Sequence, residues 1–228
     1  MKRASFIVAA SAVASAIASL IACNAVLGIE RATIEDAAVG AGTDAGIEAA
    51  AITDLFNCDN YCTVIMQNCQ KKNQEYLSKP VCLAMCKLIP MGAYYSPTDT
   101  PKNEDTLGCR LWHANSAASE PDHHCRHAGP LGAVACGGPC SGFCNLDYRY
   151  CTDNHNMVVY GTDCQGVCAG DGGIPYDEDS GDIFYPDLTQ IETGDTLNCR
   201  LWHLETAIDT NDPMTHCGHT GLVSARCR

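Results

Sequence analysis

Asp105-Thr-Leu-Gly-Cys-Arg-Leu-Trp-His113 returns as Asp195-Thr-Leu-Asn-Cys-Arg-Leu-Trp-His203, with eight of nine positions identical. Around this echo, sixteen cysteines fall into two sets of eight. Cys58, Cys62, Cys69, Cys82 and Cys86 are separated by steps of 4, 7, 13 and 4, and Cys140, Cys144, Cys151, Cys164 and Cys168 by the same four steps. Each set then adds three more: Cys109, Cys125 and Cys136 in the first, Cys199, Cys217 and Cys227 in the second. Intervals differ only where a loop is expected: Cys86 to Cys109 spans 23 positions, Cys168 to Cys199 spans 31. This is an internal duplication. Two copies suit two small domains, here 54–136 and 137–228, rather than a solenoid of many units.

Each copy opens like a helical hairpin. Leu55, Cys58, Cys62, Ile65 and Cys69 recur with helical period, and on a helix Cys58, Cys62 and Cys69 fall within roughly 40° of one another. Ser78 followed by Pro80 starts a second helix, which carries Cys82, Met85, Cys86 and Ile89 on one face. A third helix, from about Asp105 to Ala118, holds the repeated nonapeptide, with Asp105 and Asp195 expected as its N-caps. Alternating, strand-like runs are scarce; the most β-prone stretch is Met157-Val-Val-Tyr160. The expected fold class is mainly α, small and disulfide-rich: two tandem repeats, each a helical hairpin plus a third helix and long loops.

The paired CxxxC motifs resemble small twin-CxxxC helical hairpins. That resemblance implies Cys58–Cys86 and Cys62–Cys82, and in the second copy Cys140–Cys168 and Cys144–Cys164. The other four cysteines of each copy are expected to pair as Cys69–Cys109 and Cys125–Cys136, and as Cys151–Cys199 and Cys217–Cys227. Eight cysteines allow on the order of a hundred connectivities, so spacing alone leaves the map open.

The chain begins Met1-Lys-Arg and continues with an Ala-rich apolar run to Ala22. A basic start, a short apolar core and small residues describe a secretory signal, residues 1–22. Leu20-Ile21-Ala22-Cys23 resembles the lipobox of bacterial lipoproteins, in which the cysteine is lipidated and becomes the first mature residue. The cysteine count agrees, because setting Cys23 aside from seventeen leaves an even sixteen. The resemblance implies stable membrane attachment through the acyl chains at Cys23. Asn24, rather than Asp, follows the cysteine, and this implies the outer membrane or cell surface of a Gram-negative bacterium. Residues 23–53 are rich in Ala, Gly, Asp and Glu, with too little bulky apolar surface to offset ordering entropy, and read as a tether.

Charge and compartment narrow the function classes. Net charge is −13; without Lys2 and Arg3 the chain keeps 12 basic against 27 acidic residues, or −15. Such a surface repels nucleic acid, so no nucleic-acid partner is expected. Dense cysteine behind a secretory signal points to a disulfide scaffold made in an oxidising compartment. The sequence carries no CxxCH, GxSxG, HExxH or phosphate-binding glycine loop.

Three histidines recur in register: His113 with His203, His124 with His216 and His127 with His219. Their context recurs too, as Pro121-x-x-His-Cys-x-His-x-Gly129 and Pro213-x-x-His-Cys-x-His-x-Gly221. His123 and His155 have no counterparts. Three converging imidazoles suit an open Zn or Cu site; buried histidines that satisfy backbone groups are the other reading. Arg110 and Arg200 also recur. They are candidates to clamp a ligand anion, or else fork onto a carboxylate or loop carbonyls. The acidic stretch Asp171, Asp177, Glu178, Asp179, Asp182 and Asp187 lacks the alternating order of an EF-hand and reads as a solvated loop.

The function expected from the sequence is a membrane-anchored, extracytoplasmic lipoprotein acting as a non-enzymatic binding or structural module. It engages the membrane through lipid and an unknown protein or surface ligand through its body, and needs no cofactor. The alternative is a Zn- or Cu-binding protein, or a metal-dependent enzyme, using the repeated histidines.

Overall fold

Thr106 and Thr196, not the aspartates before them, cap the repeated nonapeptide helix. Each threonine side chain accepts the backbone N–H three residues on, from Cys109 and Cys199. The expectation for Asp105 and Asp195 is therefore corrected. Both residue types suit an N-cap, but here each aspartate turns instead toward the arginine five residues ahead.

The computed structural model describes residues 55–157, 159–161, 163–170, 173–176, 193–221 and 224–228. Cys23, the signal and tether segments and the acidic residues from Asp177 to Asp187, with Asp171, lie outside them. Eight α-helices are described. In the first repeat they are α1 (Cys58–Asn68), α2 (Lys79–Cys86), α3 (Leu107–Ser116) and α4 (Pro121–Ala128). The second repeat has α5 (Pro139–Asp147), α6 (Cys164–Ala169), α7 (Leu197–Thr210) and α8 (Pro213–Thr220). A π-helical stretch, Tyr148–Asn154, continues α5. No strand occurs among the described residues, those of the Met157–Tyr160 stretch included. The protein is mainly helical, small and disulfide-rich.

All sixteen cysteines from Cys58 onward are bonded, four bonds to each repeat. Cys58–Cys86 and Cys62–Cys82 tie α1 to α2, and Cys140–Cys168 and Cys144–Cys164 tie α5 to α6. The remaining pairs are Cys69–Cys125 and Cys109–Cys136, with Cys151–Cys217 and Cys199–Cys227. These replace the expected Cys69–Cys109, Cys125–Cys136, Cys151–Cys199 and Cys217–Cys227. Geometry explains the exchange. Asn68, at the end of α1, donates its side-chain N–H to the carbonyl of Ala114. Cys109 lies five residues back along α3, so the end of α1 meets α3 beyond it. Cα atoms joined by a disulfide rarely sit more than about 7 Å apart. Cys125 on α4 is adjacent instead, with Cα atoms 5.5 Å from those of Cys69.

Helix α4, and its copy α8, is an element the sequence reading leaves in a loop. Its eight residues are mostly polar, and they bury Cys125, His127 and Ala128. The available signal is proline at the first turn (Pro121, Pro213), where a missing N–H costs nothing.

The core is one cluster built around the disulfides, with Tyr61, Ile65, Val81, Met85 and Leu107 from the first repeat and Phe143, Leu146, Leu197, Leu201 and Leu204 from the second. The repeats also meet through polar contacts. Glu205 Oε2 accepts the N–H of Leu77, Ser78 Oγ donates to Asp209, Asn145 Nδ2 donates to Asp105, and Arg149 donates to the carbonyl of Leu88.

An edge-to-face aromatic pair recurs in both repeats with its second ring out of register, Tyr76 six residues before Cys82 and Tyr160 four before Cys164. Tyr61 and Tyr76 meet edge to face at 6.3 Å, and Phe143 and Tyr160 at 6.1 Å, both near perpendicular. In the first repeat Tyr61 gives its O–H to Ala128, at the end of α4. Phe143 stands where Tyr61 does, and Tyr160 gives its O–H to Thr220, at the end of α8. The hydroxyl has changed ring.

Candidate functional site: paired histidines on two helix pairs

Helices α3 and α4 pack closely, as do α7 and α8, and each pair brings the repeated histidines together. His113 is on the inner face of α3, in the turn after Cys109. His124 and His127 are three residues apart on α4 and so share a face. The Nδ1 atoms of His113 and His124 lie 3.0 Å apart. In the second copy, the Nδ1 atoms of His203 and His216 lie 3.1 Å apart. The third ring follows closely: His113 to His127 is 4.9 Å between centroids, His203 to His219 is 4.7 Å. His123, without a counterpart, stacks beside His124 and His127 on the outer side.

The bonds explain this convergence. Cys69–Cys125 fixes α4 to the end of α1, and Cys109–Cys136 fixes the first turn of α3 to the segment after α4. Sγ atoms of Cys109 and Cys136 approach His113 closely, and those of Cys199 and Cys227 approach His203. Both sulfur pairs are oxidised, so neither offers a thiolate to a metal. The disulfides are the wall behind the imidazoles.

Burial holds the imidazoles neutral. His113 is pushed down to about 3 by burial and then by the neighbouring His127, His124 and His123. His127 is pushed down to about 4 by burial, with Arg126 next in effect. Burial also lowers His124 and His219. At neutral pH these rings are uncharged, each with one ring nitrogen as donor and the other as acceptor. His127, only 4% exposed, has no hydrogen-bond partner for its Nδ1, and neither has the Nδ1 of His219. A buried ring nitrogen without a partner costs free energy, and here it does so twice at equivalent positions.

Trp112 and Trp202 stand edge-on to the clusters, 4.9 Å from His113 and 4.8 Å from His203. In the second repeat a cavity of about 130 Å³ opens among Trp202, His203, Thr215, His216, His219 and Arg226. In the first, a larger cleft of about 450 Å³ lies on the other side of Trp112, against Leu55, Asn60, Tyr94, Tyr95 and Leu111. The Trp112 indole N–H and the Tyr95 hydroxyl are buried there without partners.

Arg110 and Arg200 are removed from the ligand-binding set. Both side chains are fully buried. Arg110 donates to the carbonyls of Gly129, Thr106 and Pro130 and pairs with Asp105 at 2.6 Å. Arg200 donates to the carbonyls of Thr196 and Cys227 and pairs with Asp195 at 2.7 Å. These guanidiniums bind the chain's own loops, where an outside anion has no access.

Residues 31–142 match the family model described as the BfoA family C-terminal domain. The match covers the first repeat, the segment before it and the start of the second. Over 130 residues the chain is 27% identical to a putative EGF-like domain-containing protein of Acanthamoeba polyphaga mimivirus. That similarity takes in 54% of this chain and 25% of the viral protein, so the chain spans about a quarter of its relative. No solved structure matches. The chain is a cysteine-rich, disulfide-bonded module of the kind found outside the cytosol.

Proposed function

We propose that this chain is a lipid-anchored extracytoplasmic protein whose two disulfide-clamped repeats form a non-enzymatic binding body. The observation that carries the reading is the matched bonding of all sixteen body cysteines, four bonds to a repeat. A body held this way tolerates an oxidising, protease-rich exterior, where few cytosolic folds would gain from such bonds. The sequence Leu20-Ile-Ala-Cys23, with its basic start, supports anchoring at the one cysteine left over. The aromatic cleft beside Trp112 has the volume of a small-ligand site.

The test is metabolic labelling with a palmitate analogue in a Gram-negative host, followed by membrane fractionation. The wild type is expected to label and to sediment with membranes; Cys23→Ala is expected to lose the label and leave the membrane fraction. An unlabelled wild type, or unchanged fractionation of the variant, overturns the anchor. Free thiols in the purified body under denaturing, non-reducing conditions overturn the scaffold.

A further inference from the structure

We propose that the cleft beside Trp112 binds a neutral carbohydrate, a pyranose with equatorial hydroxyls, stacked on its aromatic walls and hydrogen-bonded at its rim. This rests on the reading of the body as a binding module and adds the class of ligand. Tyr94, Tyr95 and Trp112 line the cleft, and all three are half-buried. The Trp112 N–H and the Tyr95 hydroxyl are buried, so these two rings offer the cleft carbon rather than polar atoms. An aromatic face carries partial negative charge and attracts the slightly positive C–H groups that such a sugar presents on its own faces.

The rim supplies the polar half of the contact. Asn60 gives a side-chain N–H to the carbonyl of Leu55, Asn115 gives one to Leu111, and Ser116 gives its O–H to Trp112. These bonds hold the side chains in place. Each amide keeps its carbonyl and second N–H, and the hydroxyl its lone pairs, for the hydroxyls of a sugar. No Asp, Glu, Lys, Arg or His lines the cleft, although the chain carries a net charge of −13. A charged ligand would lose hydration there without meeting a counter-charge, so an uncharged one fits.

The second repeat shows what else this face can hold. Asn60 and Asn115 correspond to Gly142 and Glu205. Glu205 is buried and accepts the N–H of Leu77, and a Cβ at Gly142 would lie 2.6 Å from the carbonyl oxygen of Leu131. The first repeat therefore covers this face of the second. Leu204 and Ile208, in and against the apolar core, correspond to Ala114 and Ala118 in the first repeat. The open face has less aliphatic bulk and more amide, which suits a sugar better than another repeat.

The test uses the untagged full chain, purified from an oxidising periplasm in a detergent without a sugar headgroup. Tetrasaccharides of β-linked glucose, N-acetylglucosamine and xylose are titrated, with tryptophan emission followed and affinity measured by calorimetry. At least one is expected to bind with a Kd of about 1 mM or tighter. Tyr94→Ala and Asn115→Ala are each expected to weaken it at least about fivefold, with every disulfide and the helical circular dichroism retained. Trp202→Phe is expected to keep both the affinity and the emission change, because Trp112 then reports alone. Absence of binding for all of these sugars at about 10 mM overturns the proposal and leaves the anchor and the scaffold standing. Unchanged affinity in both cleft variants, or an emission change lost with Trp202, also overturns it. A concentration-dependent dimer in sedimentation that Tyr94→Ala dissolves gives the cleft to a second copy of the chain instead.

Discussion

Glu205 Oε2 accepts the backbone N–H of Leu77 at 2.8 Å, joining α7 of the second repeat to the segment entering α2 of the first. Glu205 is fully buried, and burial, joined by the nearby Glu75 and Asp209, holds its carboxyl well above the usual range. Burial therefore favours its protonated form at the seam between the repeats. Glu205→Gln keeps the acceptor and is expected to unfold within about 1 kcal/mol of wild type at neutral pH. Glu205→Leu strands the Leu77 N–H and is expected to cost about 1–3 kcal/mol. Denaturant titration of both variants checks this, and equal losses would contradict it.

The two arginine–aspartate pairs are predicted to differ. Asp105 is 13% exposed and also accepts from Asn145, whereas Asp195 is 65% exposed. Removing one partner of a buried pair leaves an uncompensated charge; an aspartate exposed to water is already screened and contributes less to begin with, and Arg200 keeps the carbonyls of Thr196 and Cys227. Asp105→Asn is expected to cost about 3 kcal/mol, and Asp195→Asn no more than about 1 kcal/mol. Thermal unfolding of the two variants side by side measures the difference.

Gly108 and Asn198 are the single mismatch in the repeated nonapeptide. A Cβ at Gly108 would lie 1.7 Å from the carbonyl oxygen of Ala93. Backbone cannot yield as a side chain can, so Gly108→Ala is expected to cost about 2 kcal/mol or more. At the equivalent position of α7, Asn198 already carries a Cβ, so Asn198→Ala is expected to cost less than Gly108→Ala. Equal melting temperatures for the two variants would refute the steric explanation.

Asp147 is raised to about 6 by burial, partly offset by the Thr220 hydroxyl that donates to it at 2.6 Å. A carboxyl raised on folding binds its proton more tightly in the native state. Its contribution is complete below about pH 4 and declines as pH rises through 6. His113 and His127, lowered on folding, act with the opposite sign in much of that window. The informative quantity is therefore a difference: Asp147→Asn is expected to remove the loss of stability between pH 4 and 6 that Asp147 adds. Urea unfolding of both proteins at pH 4.5 and 7 checks it, and parallel profiles would exclude the effect.

The duplication made much of the fold legible. Matched steps of 4, 7, 13 and 4 place Cys58, Cys62, Cys82 and Cys86 on two helices, and the register of His113, His124 and His127 with their copies selects the residues that the structure brings together. Helix α4 was not legible, because its eight residues are mostly polar and its buried face is no more than Cys125, His127 and Ala128; Pro121 marks its start. The partner of Cys69 was not legible either. That choice depends on where the end of α1 meets α3, which spacing along the chain does not encode. The cap escaped because aspartate and threonine are adjacent and equally suited to it, and only the position of Arg110 decides between them. The bond from Glu205 to Leu77 crosses 128 residues and leaves no local trace.

No disulfide in either repeat joins cysteines that are neighbours in sequence order. Cys58 passes over Cys62, Cys69 and Cys82 to reach Cys86, and the Cys69–Cys125 and Cys109–Cys136 loops interlock in sequence. A chain crossing a membrane N-terminus first exposes its thiols one after another. Oxidation in order of arrival would therefore make only wrong bonds. The native set must be reached by thiolate attack on those early bonds. Secretion of this protein is expected to depend on a disulfide isomerase as well as on an oxidant.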